Sequence, residues 1–163
     1  MNEINNLIEN LDYENAKNLL QNKIKREPNN TEAIDTLAEV LLNMDETDSV
    51  IKVNKINFYF EYQLLKKSIN LAPNKNGEKY MMLGQLIENP REVFKCYQSG
   101  VEIFIHDYNT LSNNLNNNLI QKSPKDLEKL SHLRSSISSG YAAIAELHMT
   151  SILWYKKNRF KFI

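Results

Sequence analysis

Histidine and cysteine are the side chains best able to bind a metal ion or attack a substrate, so their spacing is the first test of chemistry. The histidines are His106, His132 and His148, and no two of them lie four residues apart, as two ligands on one helix face would. The single Cys96 has no evident base to activate it and no partner for an internal disulfide. Phosphate loops and Gly-x-Ser-x-Gly elbows are also lacking in the sequence. We therefore expect no catalytic residues, no metal ligands, no cofactor and no enzyme activity.

The last ten residues form a second chemical feature, in which aromatic and basic side chains predominate. The cations are Lys156, Lys157, Arg159 and Lys161, and the rings belong to Trp154, Tyr155, Phe160 and Phe162. Such a mixture can bind RNA or a membrane surface. Because the segment is short and terminal, direct nucleic-acid binding is only a second alternative for the function.

Amino-acid composition indicates the type of secondary structure in which these side chains lie. The 163 residues are 42% hydrophobic and 25% charged, with four glycines, four prolines and no sustained strand alternation. These values predict a single all-α domain. No apolar run approaches the roughly 18 residues of a membrane span, and the polar start is unlike a secretory signal. With one cysteine, we expect a protein of the cytoplasm, the nucleus or both.

Residues 77–105, GEKYMMLGQLIENPREVFKCYQSGVEIFI, predict two antiparallel amphipathic helices, the second beginning at Pro90. The first helix carries large, large, small and large residues at helical spacing, and a glycine on a helix lets a neighbouring helix approach closely. The same pattern occurs earlier and later in the chain. The predicted packing residues are Ile34, Leu37, Ala38 and Leu41, then Tyr80, Leu83, Gly84, Ile87, Tyr97 and Gly100, and finally Tyr141, Ile144 and Ala145.

This pattern resembles the W-x-x-L-G-x-x-Y signature of tetratricopeptide (TPR) repeats. The resemblance implies an α-solenoid of three to four helix–turn–helix pairs whose last repeat is incomplete. Pro28 and Pro73 are 45 residues apart instead of about 34, which indicates an insertion, NMDETDSVIKVN. The predicted organisation is helical pairs in residues 1–108, an Asn-rich, partly disordered loop in 109–123, and a helical motif with a basic tail in 124–163.

Three segments, YMMLGQL, YQSGVEI and YAAIAELHMTSIL, are similar to a narrower TPR family, the dedicated assembly chaperones of large-subunit ribosomal protein four. The resemblance implies a chaperone that shields a nascent, basic ribosomal protein during ribosome biogenesis. Proteins of this family continue with another helix and an acidic tail, so we expect this chain to be cut short. The apolar face of Ile144, His148 and Ile152 should then be covered by residues 154–163 or by a second copy of the chain.

Charge on the first helix of each predicted pair indicates the partner without use of the resemblance. The face beside the packing residues would line a concave groove, and six of its twelve side chains are acidic while none is basic. Residues 1–53 also contain eleven acidic against five basic residues. Such a groove favours a basic protein or peptide. The predicted partner-binding residues are Glu32, Asp35, Glu39, Glu78, Met81, Gln85, Glu88 and Glu146.

The acidity of this face is also compatible with roles that need no basic partner. Acidic residues early in helices interact favourably with the helix dipole, which would account for Glu32, Asp35 and Glu78 but not for acids late in their helices. A clamp for the C-terminal carboxylate of a heat-shock chaperone would need basic residues here, which disfavours that function. A generic TPR scaffold that joins proteins of a complex is the first alternative.

Overall fold

The computed structural model describes residues 1–47, 55–117 and 123–159, with side-chain surroundings for residues 1–44, 58–115 and 123–150. These ranges contain helices and no strand, which confirms the all-α prediction. The helices are α1 (Asn2–Glu9), α2 (Tyr13–Arg26), α3 (Thr31–Thr47), α4 (Lys55–Leu71), α5 (Glu78–Gln85), α6 (Pro90–Asn117) and α7 (Pro124–Arg159).

Local side-chain chemistry determines where several helices begin. The Asp12 carboxylate accepts a hydrogen bond from the backbone N–H of Asn15 at the start of α2. The Asn30 side-chain oxygen accepts one from Ala33 N–H (3.0 Å) at the start of α3. At α7, Ser123 Oγ accepts from Asp126 N–H (3.2 Å), while the Asp126 carboxylate accepts from Ser123 N–H (3.3 Å). This reciprocal capping, followed by proline at the first helical position, specifies a helix start from sequence alone.

The chain divides into two compact units, Met1–Pro73 and Asn74–Ile163. In the first unit, α1 packs on α2, α2 on α3 and α3 on α4. Its core is built from small and branched apolar residues that are at most 5% exposed. They include Ile4, Ala16, Leu20, Ala33, Ile34, Leu37, Ala38, Val40, Leu41 and Leu65.

In the second unit, α6 packs against both α5 and α7. Contacts between α6 and α7 run in opposite order along the two helices, so the pair is antiparallel. From the start of α6 onward, they join the rings of Phe94 and His148 (centroids 5.4 Å apart), then Val101 and Gly140, then Tyr108 and Arg134.

Two glycine contacts set the distance between α5 and α6. A β-carbon at Gly84 would overlap the ring of Tyr97, and one at Gly100 would lie 3.0 Å from the carbonyl oxygen of Gly77. Because Gly77 lies near Gly100 and Gly84 lies near Tyr97, these two helices are also antiparallel. Close approach of the helices therefore requires glycine at these positions.

The prediction of a partly disordered loop in residues 109–123 is wrong for its first nine residues, because α6 continues to Asn117. Half-buried Tyr108, Leu111 and Leu115 extend the stripe that begins at buried Phe104, at spacings of four, three and four residues. The run of asparagines makes this helical period hard to detect in the sequence. Packing of the apolar stripe stabilises the helix here. Residues 118–122 of that prediction lie outside the described residues.

Several predicted packing residues have different surroundings from those expected. Ile87 follows the end of α5, and Tyr141 and Ala145 on α7 are exposed. The reason is the orientation of α7, whose contact stripe follows Leu133, Gly140 and half-buried Ile144. Tyr141 lies about 100° around the helix from Gly140 and so faces away from α6.

The C-terminal segment also differs from the expectation. Helix α7 runs without a break to Arg159, so residues 154–159 extend the helix instead of folding back over the last motif. His148 of that motif is exposed but contacts the ring of Phe94 on α6. The side chains of the basic tail, and residues 48–54 of the predicted insertion, lie outside what the structure describes. None of the described helices is both long and apolar enough to cross a membrane.

Candidate functional site

The eight predicted partner-binding residues fall in both units, three on α3 and five between Glu78 and Glu146. Each unit therefore presents its own surface. The two sets differ in how open they are to a partner.

On α3, two of the three carboxylates are open to solvent. Glu32 and Glu39 are exposed, whereas Asp35 is only 8% exposed. The prediction that Asp35 lies on an open binding face is therefore wrong. Helix α3 packs against α2 on one side and α4 on the other, which leaves a narrow exposed line at spacings of four and three residues. That line passes through Glu32, half-buried Thr36 and Glu39.

In the second unit, three predicted residues of α5 line a groove with a volume of about 310 Å³. Glu78, Met81 and Gln85 project into it at spacings of three and four residues, so they share one helix face. Ser136 and Ser139 line it from α7. We call this cavity the α5–α7 groove.

Aromatic side chains of α6 form another part of the groove wall. Tyr97 and Phe104 are two helical turns apart, with Gly100 between them on the same face. A β-carbon at Gly100 would lie 3.0 Å from the sulfur of Met81. The small residue therefore lets Met81 lie over α6, and the groove is bounded by a thioether and two rings.

One hydrogen bond joins α5 to α7 at the groove. Ser136 Oγ donates to Glu78 Oε1 at 3.1 Å, and both side chains are half-buried. A carboxylate has about four lone-pair positions, so Glu78 can accept further hydrogen bonds from a ligand. This bond holds the carboxylate in place and leaves its other lone pairs available to a ligand.

The electrostatics around Tyr97 connect Glu146 with this groove. Burial raises the pKa of the Tyr97 hydroxyl, and the negative charges of Cys96 thiolate and Glu146 raise it further. The effect of Glu146 shows that its carboxylate is within electrostatic reach of Tyr97. Glu146 itself is exposed on α7. A cation near the Tyr97 hydroxyl would thus be attracted by the carboxylate of Glu146.

Glu88 is the remaining predicted partner-binding residue. It is exposed in the segment between α5 and α6 and does not line the groove. Sequence reasoning missed Ser136 and Phe104 as lining residues and assigned Tyr97 to packing alone. For the α7 side a signal was present in the sequence. Ser136 and Ser139 lie on the same face of α7 as Ala143 and precede it in the chain. The repeat-like pattern starts only at Tyr141 and therefore leaves this part of α7 out.

The histidines and the cysteine occupy ordinary helical positions. His132 lines the groove, His148 packs on Phe94, and Cys96 is half-buried in α6. Among the residues that the structure describes, no cluster of three or more His, Cys, Asp or Glu side chains could hold a metal ion. What the groove can do chemically is bind a cation through carboxylate, hydroxyl and aromatic groups.

Comparison with known proteins gives no further assignment: no protein-family model matches the chain, and no curated protein matches it.

Proposed function

We propose that this protein is a TPR-like binding protein that holds and shields a basic segment of a client protein. The observation that carries the proposal is the α5–α7 groove. It brings together three of the predicted partner-binding residues, Glu78, Met81 and Gln85, and its described lining contains no lysine or arginine. A negative groove attracts a cationic segment and disfavours an acidic one.

The family resemblance supports a more specific client. The segment YMMLGQL falls on α5, YQSGVEI on α6 and YAAIAELHMTSIL on α7, and these are the helices that build the groove. A nascent ribosomal protein fits, because its cationic extensions need a negative surface until they meet RNA. In this proposal the protein acts as an assembly chaperone without catalysis, in the cytoplasm or the nucleus.

The stacking of successive antiparallel helices supports a TPR-like arrangement, although the helix lengths vary. Helices α5, α6 and α7 contain 8, 28 and 36 residues, whereas a TPR repeat of about 34 residues contains both of its helices. In this proposal the second unit is thus a repeat-like arrangement in which α6 and α7 are lengthened and α5 is short.

The proposal is tested by titrating the purified protein with a fluorescent Lys/Arg-rich peptide and following anisotropy. Affinity should decrease as salt increases, because each exposed pair contributes only about 0.2–1 kcal/mol and is screened. Glu146→Lys should weaken binding severalfold, whereas Glu102→Lys, an exposed acid elsewhere in the unit, should have a smaller effect.

Two results would contradict the proposal. The first is equal affinity for the basic peptide and an acidic peptide of the same length. The second is binding that does not depend on salt. Capture of a folded partner without a basic segment would instead support the generic scaffold.

A further inference from the structure

We propose that the α5–α7 groove is a subsite for one arginine side chain of the client, with the Glu78 carboxylate as the counter-ion. This inference deepens the proposed function and rests on it for the source of the arginine. It depends on three features of the groove: its size, its walls and its hydrogen-bond acceptors.

The size suits one long side chain. The 310 Å³ groove is at the small end of the range of about 300–1,000 Å³ that ligand pockets span. An arginine side chain, with seven non-hydrogen atoms, fits this volume and leaves space for a few bridging waters. A whole helix or a folded domain does not fit.

The walls suit both parts of an arginine. The thioether of Met81 provides an apolar, polarisable surface for the aliphatic stem. The half-buried ring of Tyr97 can stack on a planar guanidinium, which is more weakly hydrated than the ammonium group of lysine, and buried Phe104 adds to the apolar wall. The groove should therefore prefer arginine to lysine.

The polar groups also match a guanidinium. An arginine offers five N–H donors in a plane, and the groove offers the Glu78 carboxylate, the hydroxyls of Ser136 and Ser139, and the amide oxygen of Gln85. Glu78 is fixed by its hydrogen bond from Ser136, so little ordering remains to be done when the ligand binds. The same carboxylate would repel a phosphate group, so an RNA backbone is not the expected occupant.

The first experiment uses N-acetyl-arginine amide as the probe, followed by NMR of the full chain. Chemical-shift changes should concentrate on the α5–α7 groove residues. N-acetyl-citrulline amide, which has nearly the same shape without the charge, should produce almost none, and N-acetyl-lysine amide should bind more weakly than the arginine compound.

The variants test the counter-ion. Glu78→Gln keeps an oxygen for the Ser136 hydroxyl, so the fold should survive, and it should weaken binding of the arginine compound about tenfold, equivalent to about 1.4 kcal/mol. Glu102→Gln removes an exposed carboxylate that does not line the groove and serves as the matched control. Ser139→Lys puts a cation of the protein itself into the groove and should abolish binding.

The outcomes separate this inference from the proposed function. If basic peptides bind with salt dependence but Glu78→Gln and Ser139→Lys behave like the control, the arginine subsite is wrong and the chaperone proposal stands. If the arginine compound binds in the groove but no basic peptide binds more tightly than an acidic one, the subsite stands and the client proposal fails. Equal binding of the citrulline and arginine compounds would overturn the subsite.

Discussion

Leu11 occupies a backbone conformation that a leucine disfavours. It follows α1 with a φ of 60°, and the Asp12 N–H donates to Leu7 O (2.8 Å) across it, as in a Schellman cap. A left-handed conformation costs an L-residue about 1–2 kcal/mol. The leucine side chain is 70% exposed, so the small part that is buried offsets little of this conformational cost.

Leu11→Gly should therefore stabilise the protein. The gain should be about 0.5–1 kcal/mol in the free energy of unfolding, after subtracting the greater flexibility of glycine in the unfolded chain. Urea denaturation measures it. Asn10→Gly is the matched control, because Asn10 has a φ of −88° and gains nothing from glycine. A loss of stability in Leu11→Gly would mean that the cap is not formed in solution.

Gly84→Ala should destabilise the second unit, because its β-carbon would overlap the ring of Tyr97. Overpacking of this kind typically costs about 1–3 kcal/mol. Thermal and urea unfolding of Gly84→Ala, Tyr97→Leu and the double variant form a cycle that measures the coupling. The double variant should lose less stability than the sum of the single variants. Strict additivity would show that the two residues do not touch.

Elements were predictable from sequence where local chemistry specifies them. The starts of α2 and α7 follow from Asp12 and from the Ser123–Asp126 capping pair, which act within a few residues. The extent of α6 was not predictable from composition, because packing of Leu111 and Leu115 outweighs the weak helix propensity of asparagine. Tertiary contacts decide where such helices end.

Two carboxylates of helix α3 test how burial determines the effect of a charge substitution, since Asp35 is buried and Glu39 is exposed. Asp35→Lys should cost about 3 kcal/mol or more, because it puts a long cation at a buried position. Glu39→Lys, one turn further along the same helix, should cost less than about 1 kcal/mol. Urea denaturation of both variants makes the comparison, and equal costs would contradict the burial of Asp35.

At the scale of the whole molecule, the sequence predicted the α5 side of the groove and missed most of the α6 side. Glu78, Met81 and Gln85 follow from helical periodicity on one element. The contribution of Tyr97 and Phe104 depends on how closely α5 and α6 approach, which Gly77 and Gly100 determine jointly. A single-helix pattern contains no information about that distance.

Stability should decrease at alkaline pH partly through two tyrosines. Burial raises the pKa of Tyr80 and of Tyr97, so the folded state binds their phenolic protons more tightly than the unfolded chain does. That stabilisation is complete below the unfolded pKa of about 10 and is lost as pH rises through the folded value.

The contribution of Tyr97 is measured by unfolding Tyr97→Phe and the parent protein between pH 8 and 11. The variant should lose less stability over this range. Tyr59→Phe, which removes the hydroxyl from a side chain that is 64% exposed, is the control substitution. Parallel profiles for Tyr97→Phe and the parent would contradict the prediction.

The contacts between α6 and α7 have a consequence for the chain lengths that this hairpin tolerates. On α6 they recur every seven residues, at Phe94, Val101 and Tyr108. One residue inserted after Val101 would rotate everything beyond it by about 100° and turn Tyr108 away from Arg134, whereas a whole inserted heptad would restore the phase to within about 20°. We therefore expect related chains to differ in the length of α6 by multiples of seven residues.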